Sequence, residues 1–274
     1  MIIMINTLTL IAYALAWFLI VWHLRQRTQT QDNRQLLMAV KITWALAVFA
    51  HLFTLHAPLM GGGERLINIS FAEALSQVAF WLSFLLLVSI LYRRLESLGL
   101  FALPIVTLSV LLAILYPNNA TDTGLQLTGG LGIHIFSSLL AYSLFFLASL
   151  QALLLAYQNH HLHHHQQSTL LRTLPAIQDM EHFLFELIRF GLLVLSIALV
   201  TGFVYLDNML EQHVAHKTLL SLLAWVVFSV LLIGRYRYGW RGKVAIRWTL
   251  SGFVLLMLAF LGTKFVLEFL VTKS

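Results

Sequence analysis

The stretch LTGGLGIHIFSSLLAYSLFFLASLQALLLAY, residues 127–157, decides how the rest of the chain is read. A polar, glycine-containing head is followed by an apolar run long enough to cross a bilayer, with His134 near its start. On a helix, His134, Ser138, Ala141, Phe145, Ala148 and Ala152 fall within about 40° of one line. Most of that stripe is small, so a neighbouring helix or a flat ligand could approach it closely. An imidazole facing hydrocarbon would stay unpaired at a cost of several kcal/mol. The expectation is therefore that His134 faces the interior of a helix bundle.

The whole chain repeats this character. Of 274 residues, 59% are hydrophobic and 10% are charged, against about 25% charged in a soluble domain, so most of the surface must face something other than water. Apolar runs of spanning length lie at roughly 4–23, 36–57, 71–92, 98–116, 130–157, 183–206, 217–234 and 245–270. They predict an all-α, polytopic membrane protein: one transmembrane domain over 1–274, built as a bundle of eight helices. The first run lacks a basic leading segment and a small-residue cleavage site, and its arginines follow it, so it reads as a retained helix.

Loop charges orient the bundle. Arg25, Arg27, Arg34, Arg93, Arg94, Arg172, Arg235, Arg237, Arg241 and Lys243 fall on one side, against Arg65, Lys217 and Lys273 on the other. Basic residues concentrate in cytoplasmic loops, so both termini are expected outside. The net charge of +6 then reflects topology, and nucleic acid is not an expected partner; the lipid bilayer is. There is no cysteine, which excludes disulfide exchange, thiolate metal sites and covalent haem attachment through C-x-x-C-H. A nucleophile–base pair or an acid cluster at catalytic spacing is also missing, so the chain is not expected to be an enzyme.

Histidines in or at the ends of spanning helices carry the main functional signal, because ionisable groups there usually face a partner or a cavity. His51 and His56 end the second helix, His134 heads the fifth, and His213 and His216 precede the seventh. His51 and His56 point about 140° apart, so His51 pairs better with His134, at similar depth. Two such imidazoles across a gap lined by small and aromatic residues suit bis-histidine haem ligation. The alternative is structural: a buried histidine hydrogen-bonded to a carbonyl or serine, holding helices together. The HHLHHH tract at 160–165 reads either as a metal-binding tract or as a solvated loop without fixed ligand geometry. Glu186 with Arg189 and Lys264 with Glu268 have same-face spacing, while Lys41 and Glu73 lie near enough to interfaces to snorkel.

The segment HKTLLSLLAWVVFSVLLIGRYRYGWRGKVAIRWTLSGFVLLMLAFLGTKFV, residues 216–266, resembles the cytochrome c assembly family of haem-handling membrane proteins, which includes the CcsA, CcmC and HemX-like branches. Thr201-Gly202, His216-Lys217-Thr218, Trp225, Gly239-Trp240-Arg241-Gly242, Gly252-Phe253 and Gly262 carry the likeness, as does His134 with the LLAYSLFFLASLQALLL that follows it. AHLFTL, around His51, is the main similarity in the first half. The resemblance implies a bacterial inner-membrane protein with non-covalently bound haem and cytochrome c assembly components as partners. It also implies His134 and His51 as axial ligands to haem iron, His216 and Lys217 at the entrance with Lys217 meeting a propionate, and Trp225 against the porphyrin or the fifth helix. GRYRYGWRGK would be a topology and packing anchor.

Haem-delivering members of that family present haem on a tryptophan-rich WWD loop. Here only DNMLEQHVA precedes Lys217, and Ile233 stands where a membrane histidine occurs in the LH-x-R pattern of CcsA. The resemblance therefore implies an accessory role in haem binding or handling, rather than delivery to an apocytochrome. The alternative is a membrane scaffold or small-molecule transporter that keeps the fold without haem.

Overall fold

The structure is a computed structural model, described here for residues 2–28, 33–56, 66–67, 70–116, 125–126, 129–163, 171–205 and 212–262. Eight helices are long and apolar enough to cross a membrane. They are α1 (Ile2–Thr28), α2 (Arg34–His56), α3 (Phe71–Tyr92), α4 (Glu96–Leu115), α5 (Gly129–His163), α6 (Ile177–Tyr205), α7 (Gln212–Tyr238) and α8 (Lys243–Met257). A π-helical turn, Leu258–Gly262, continues α8. The only strands among the described residues are β1 (Leu66–Ile67) and β2 (Leu125–Gln126), paired antiparallel.

The helices outrun the apolar segments. α5, expected to end at Tyr157, continues to His163, and α6 begins at Ile177 rather than at 183. Hydropathy marks only the part that needs lipid. The backbone gains one hydrogen bond for each further residue fixed, so a helix already nucleated continues into the polar boundary. The eighth run was expected to reach residue 270; its part beyond 262 lies outside the described residues, as do Lys264 and Glu268.

The chain divides into two compact units, residues 1–126 with 161–176, and residues 127–160 with 177–274. In the first, α1 packs on α2 and α4, and α3 on α4. Ser70 and Glu73 start α3 with a reciprocal capping box: Glu73 N–H donates to Ser70 Oγ at 3.2 Å, and Ser70 N–H donates to Glu73 Oε2 at 3.0 Å. Glu73 is thus a cap. Pro104 sits inside α4 and has no N–H for the carbonyl of Leu100. The indole of Trp17 on α1 donates to that carbonyl at 3.0 Å, so a neighbouring helix supplies the bond proline cannot. Gly99 lets α4 close on this pair, since a Cβ there would lie 2.8 Å from Ile20 and 2.9 Å from Trp44.

The second unit is centred on a stacked ring pair, Phe145 of α5 and Phe228 of α7, 3.8 Å between centroids. Glycines floor both rings: a Cβ on Gly191 of α6 would come within 2.9 Å of Phe145, and one on Gly252 of α8 within 2.6 Å of Phe228. Four helices meet here because two present aromatic rings and two present bare backbone. The stripe predicted on α5 lies in this contact: Ala141, Phe145, Ala148 and Ala152 are buried and Ser138 half-buried. Large apolar side chains such as Leu46, Phe18, Val200 and Phe203 point outward instead, as lipid contact requires.

Candidate functional site

His134 is half-buried near the start of α5, and its Nδ1–H donates to the carbonyl oxygen of Ala198 on α6 at 2.8 Å. A carbonyl can only accept, so Nδ1 carries a proton, and in the neutral ring the lone pair is on Nε2. No described residue hydrogen-bonds to Nε2. Ala198 O also accepts from Thr201 Oγ1 at 3.1 Å, and Ser137 Oγ donates back to the carbonyls of Ile133 and His134. The ring is held by one specific bond to a neighbouring helix, with the opposite nitrogen left over.

Lys217 on α7 has its Nζ 5.6 Å from the centre of the Phe260 ring, a cation–π distance. Phe260 in turn lies 5.2 Å, and Phe253 5.6 Å, from the ring of Tyr142. The Tyr142 hydroxyl is buried and has no hydrogen-bond partner among the described residues, an arrangement that ordinarily calls for water or a ligand atom. Trp225 is half-buried on α7, and its indole N–H donates to Ser196 Oγ on α6 at 2.8 Å. That bond ties α7 to α6, where the resemblance implied a contact with the porphyrin or with α5. His216, one residue before Lys217, is exposed.

His51 has a different environment. It is fully buried in the first unit, with Tyr13 OH 3.2 Å from Nδ1 and Ser76 Oγ 2.9 Å from Nε2. Tyr13 and Phe80 meet its ring edge-on at 5.7 and 5.6 Å. Both ring nitrogens are engaged, so ligation of a metal there requires release of Tyr13 or Ser76. The second unit holds His134, Lys217, Trp225 and His216, while His51 belongs to the first. The side chains of His56 and His213, and those of His163, His164 and His165 in the HHLHHH tract, lie outside the described residues. Among the described residues no group of three or more His, Asp or Glu side chains could hold a bare metal ion.

Sequence reasoning missed the polar partners that fix these groups. Tyr142 and Tyr13 look like ordinary apolar-face aromatics, and only the packing shows where their hydroxyls end. Glu181 was also missed. At 4% exposure it accepts from Gly242 N–H at 2.8 Å and from Arg241 Nε at 3.2 Å, clamping α6 to the turn before α8. No local signal pointed to it, since Glu181 shares its helix start with Asp179 and Glu186 and its partners lie about 60 residues away in the chain. That turn is a packing device, with Trp240 lying on Gly234, Arg235 donating to Trp240 O at 3.2 Å, and the Arg235 guanidinium 4.6 Å above Phe185. Glu186 accepts from His182 at 2.9 Å, and Arg189 Nε donates to the Phe185 carbonyl at 3.3 Å.

Fold and site together define a multi-pass helical membrane protein with a histidine-centred polar site in its second unit. The profile of the family described as cytochrome C assembly protein matches residues 4–271, and the chain belongs to that family. It is 30% identical over 263 residues to the inner membrane protein YpjD of Escherichia coli strain K12, covering 94% of this chain and 96% of that protein. It is also 28% identical over 131 residues to protein HemX of Brevibacillus brevis, covering 47% and 48% of the two chains. No solved structure matches. The chain is a multi-pass bacterial inner-membrane protein.

Proposed function

We propose that this protein has an accessory, non-enzymatic role in binding or handling haem for cytochrome c assembly, with His134 as the residue that meets the iron. The observation behind this is the His134 ring: Nδ1–H held by the Ala198 carbonyl at 2.8 Å, and Nε2 unengaged among the described residues. Metal-ligating histidines are commonly fixed in this way, the outer bond selecting the tautomer and aiming the other nitrogen. Other residues of the second unit suit the group: a cation at Lys217 for a propionate, the aromatic rings of Phe253 and Phe260, and a buried hydroxyl at Tyr142 with no hydrogen-bond partner among the described residues. Haem would supply an iron that takes an axial imidazole and carboxylates that take a cation. His216 lies at the entrance and Trp225 on the flank. His51 joins as a second ligand only if Tyr13 or Ser76 gives up its ring nitrogen.

The test is the absorption spectrum of detergent-purified protein. A Soret band is expected, abolished or shifted by His134→Ala while the helices still assemble, because the stripe below His134 supplies the packing. Loss of the band in His51→Ala as well would add His51 as a ligand. A protein without haem before mutation, or a spectrum indifferent to His134, would refute the proposal. The second reading would then stand, a scaffold or small-molecule transporter that keeps the fold. It is favoured by the interhelical hydrogen bonds that both histidines make.

A further inference from the structure

Around the turn that joins α7 to α8 stand five cations: Arg235, Arg237, Arg241, Lys243 and Arg247. Two are spent on the protein. Arg235 donates to the Trp240 carbonyl and lies over Phe185, and Arg241 pairs with Glu181. Arg237, Lys243 and Arg247 are exposed and make no hydrogen bond or ion pair with a described residue. The acids nearest in the described part of this unit do not reach them: Glu181 is held by Gly242 and Arg241, Glu186 by His182, and Asp179 pairs with none of the three.

Depth decides what these three meet. Arg237 is next to the end of α7, and Arg247 lies about 6 Å along α8 from its start; both helices are of membrane-spanning length and hydropathy. Tyr236 and Tyr238 are largely exposed at the same level, and the ring of Trp240 lies 5.4 Å from that of Trp248. Amphipathic rings settle at the headgroup layer, so the cations between them stand at the depth of lipid phosphates. The backbone that carries them is fixed, with Gly242 N–H on Glu181 at 2.8 Å and Trp240 lying on Gly234. Cations presented on a fixed turn lose little freedom when an anion arrives.

We propose that the α7–α8 turn is a binding surface for the headgroups of anionic phospholipids, with Arg237, Lys243 and Arg247 as the cations that take them. Guanidinium groups suit phosphate oxygens in forked geometry, and an ammonium adds a compact charge. The loop-charge bias assigns this turn to the cytoplasmic leaflet, where basic clusters at the ends of spans select anionic lipid. The proposal does not rest on the haem reading, because the two share no residue.

Native mass spectrometry of the detergent-purified full chain, offered phosphatidylglycerol or phosphatidylcholine at low ionic strength, tests it. Phosphatidylglycerol should be retained roughly a hundredfold better, about fivefold for each of three cations. Arg237→Gln, Lys243→Gln and Arg247→Gln should each lose about fivefold of that preference, and the triple variant should hold the two lipids equally. Arg25→Gln, Arg34→Gln and Arg94→Gln together remove the same charge from exposed positions in the first unit, and that protein should keep the wild-type preference. Equal retention of the two lipids by wild type overturns the proposal, as do three single variants that leave the preference unchanged. A first-unit triple that loses the preference as fully as the turn triple also overturns it, since net charge rather than this turn would then select the lipid.

Discussion

Replacing Glu181 should weaken the second unit through one backbone hydrogen bond more than through its ion pair. Arg241 is 59% exposed, so its attraction to Glu181 is screened by water and is worth at most a few tenths of a kcal/mol to 1 kcal/mol. The bond from Gly242 N–H at 2.8 Å differs. It ends on a carboxylate that is 4% exposed, and a hydrogen bond to a charged group contributes about 1.5–3 kcal/mol. Gly242 has φ +53° and ψ −125°, a backbone state that costs another residue about 1–3 kcal/mol. Glu181→Ala should therefore cost about 2–3 kcal/mol, a fall of roughly 4–10 °C in melting temperature by the usual size scaling. Glu181→Gln keeps a neutral acceptor and should cost about half as much. Arg241→Gln should cost under about 1 kcal/mol. Thermal unfolding of detergent-solubilised protein, followed by tryptophan fluorescence, reads all three. Equal losses for Arg241→Gln and Glu181→Ala would refute the reasoning, since the ion pair would then be the clamp.

Reporter fusions at Arg94 and Asn119 should report cytoplasmic and periplasmic sides respectively, as the loop-charge bias requires; the same side for both would overturn the helix count. Gly252→Ala should lower stability by about 1–3 kcal/mol by overpacking, because Phe228, 2.6 Å from the new methyl group, is backed by Phe145, itself floored by Gly191; an unchanged melting curve would show that the stack can move. His51→Ala should destabilise the first unit by about 2–4 kcal/mol, through a buried cavity and two hydroxyls left without their ring partner. A neutral result in the same melt would show that Tyr13 and Ser76 find other partners.

The eight spans were legible because a bilayer imposes a requirement that sequence states directly: about 20 apolar residues with every backbone group bonded within the helix. The small-residue stripe on α5 was legible for a related reason. A helical period of 3.6 places Ala141, Ala148 and Ala152 on one face, whatever packs there. Helix ends were less legible, as α5 and α6 show, because hydropathy ends at the apolar boundary and hydrogen bonding does not.

Pairing was the part that local sequence could not carry. Depth along two helices suggested His51 with His134, but depth does not say what each ring meets in its own unit. The packing gives His51 to Tyr13 and Ser76, 38 and 25 residues away in sequence, and His134 to a carbonyl 64 residues away. Likewise Pro104 announced a missing bond on α4, and only the tertiary arrangement supplied Trp17 to make it. Sequence alone determined that this chain is a bundle of membrane helices with imidazoles near one boundary, since composition and period are local properties that a solvent selects. Which ring nitrogen is engaged, and by which distant group, was decided by the tertiary structure, because a hydrogen bond depends on a few tenths of an ångström between groups far apart in the chain.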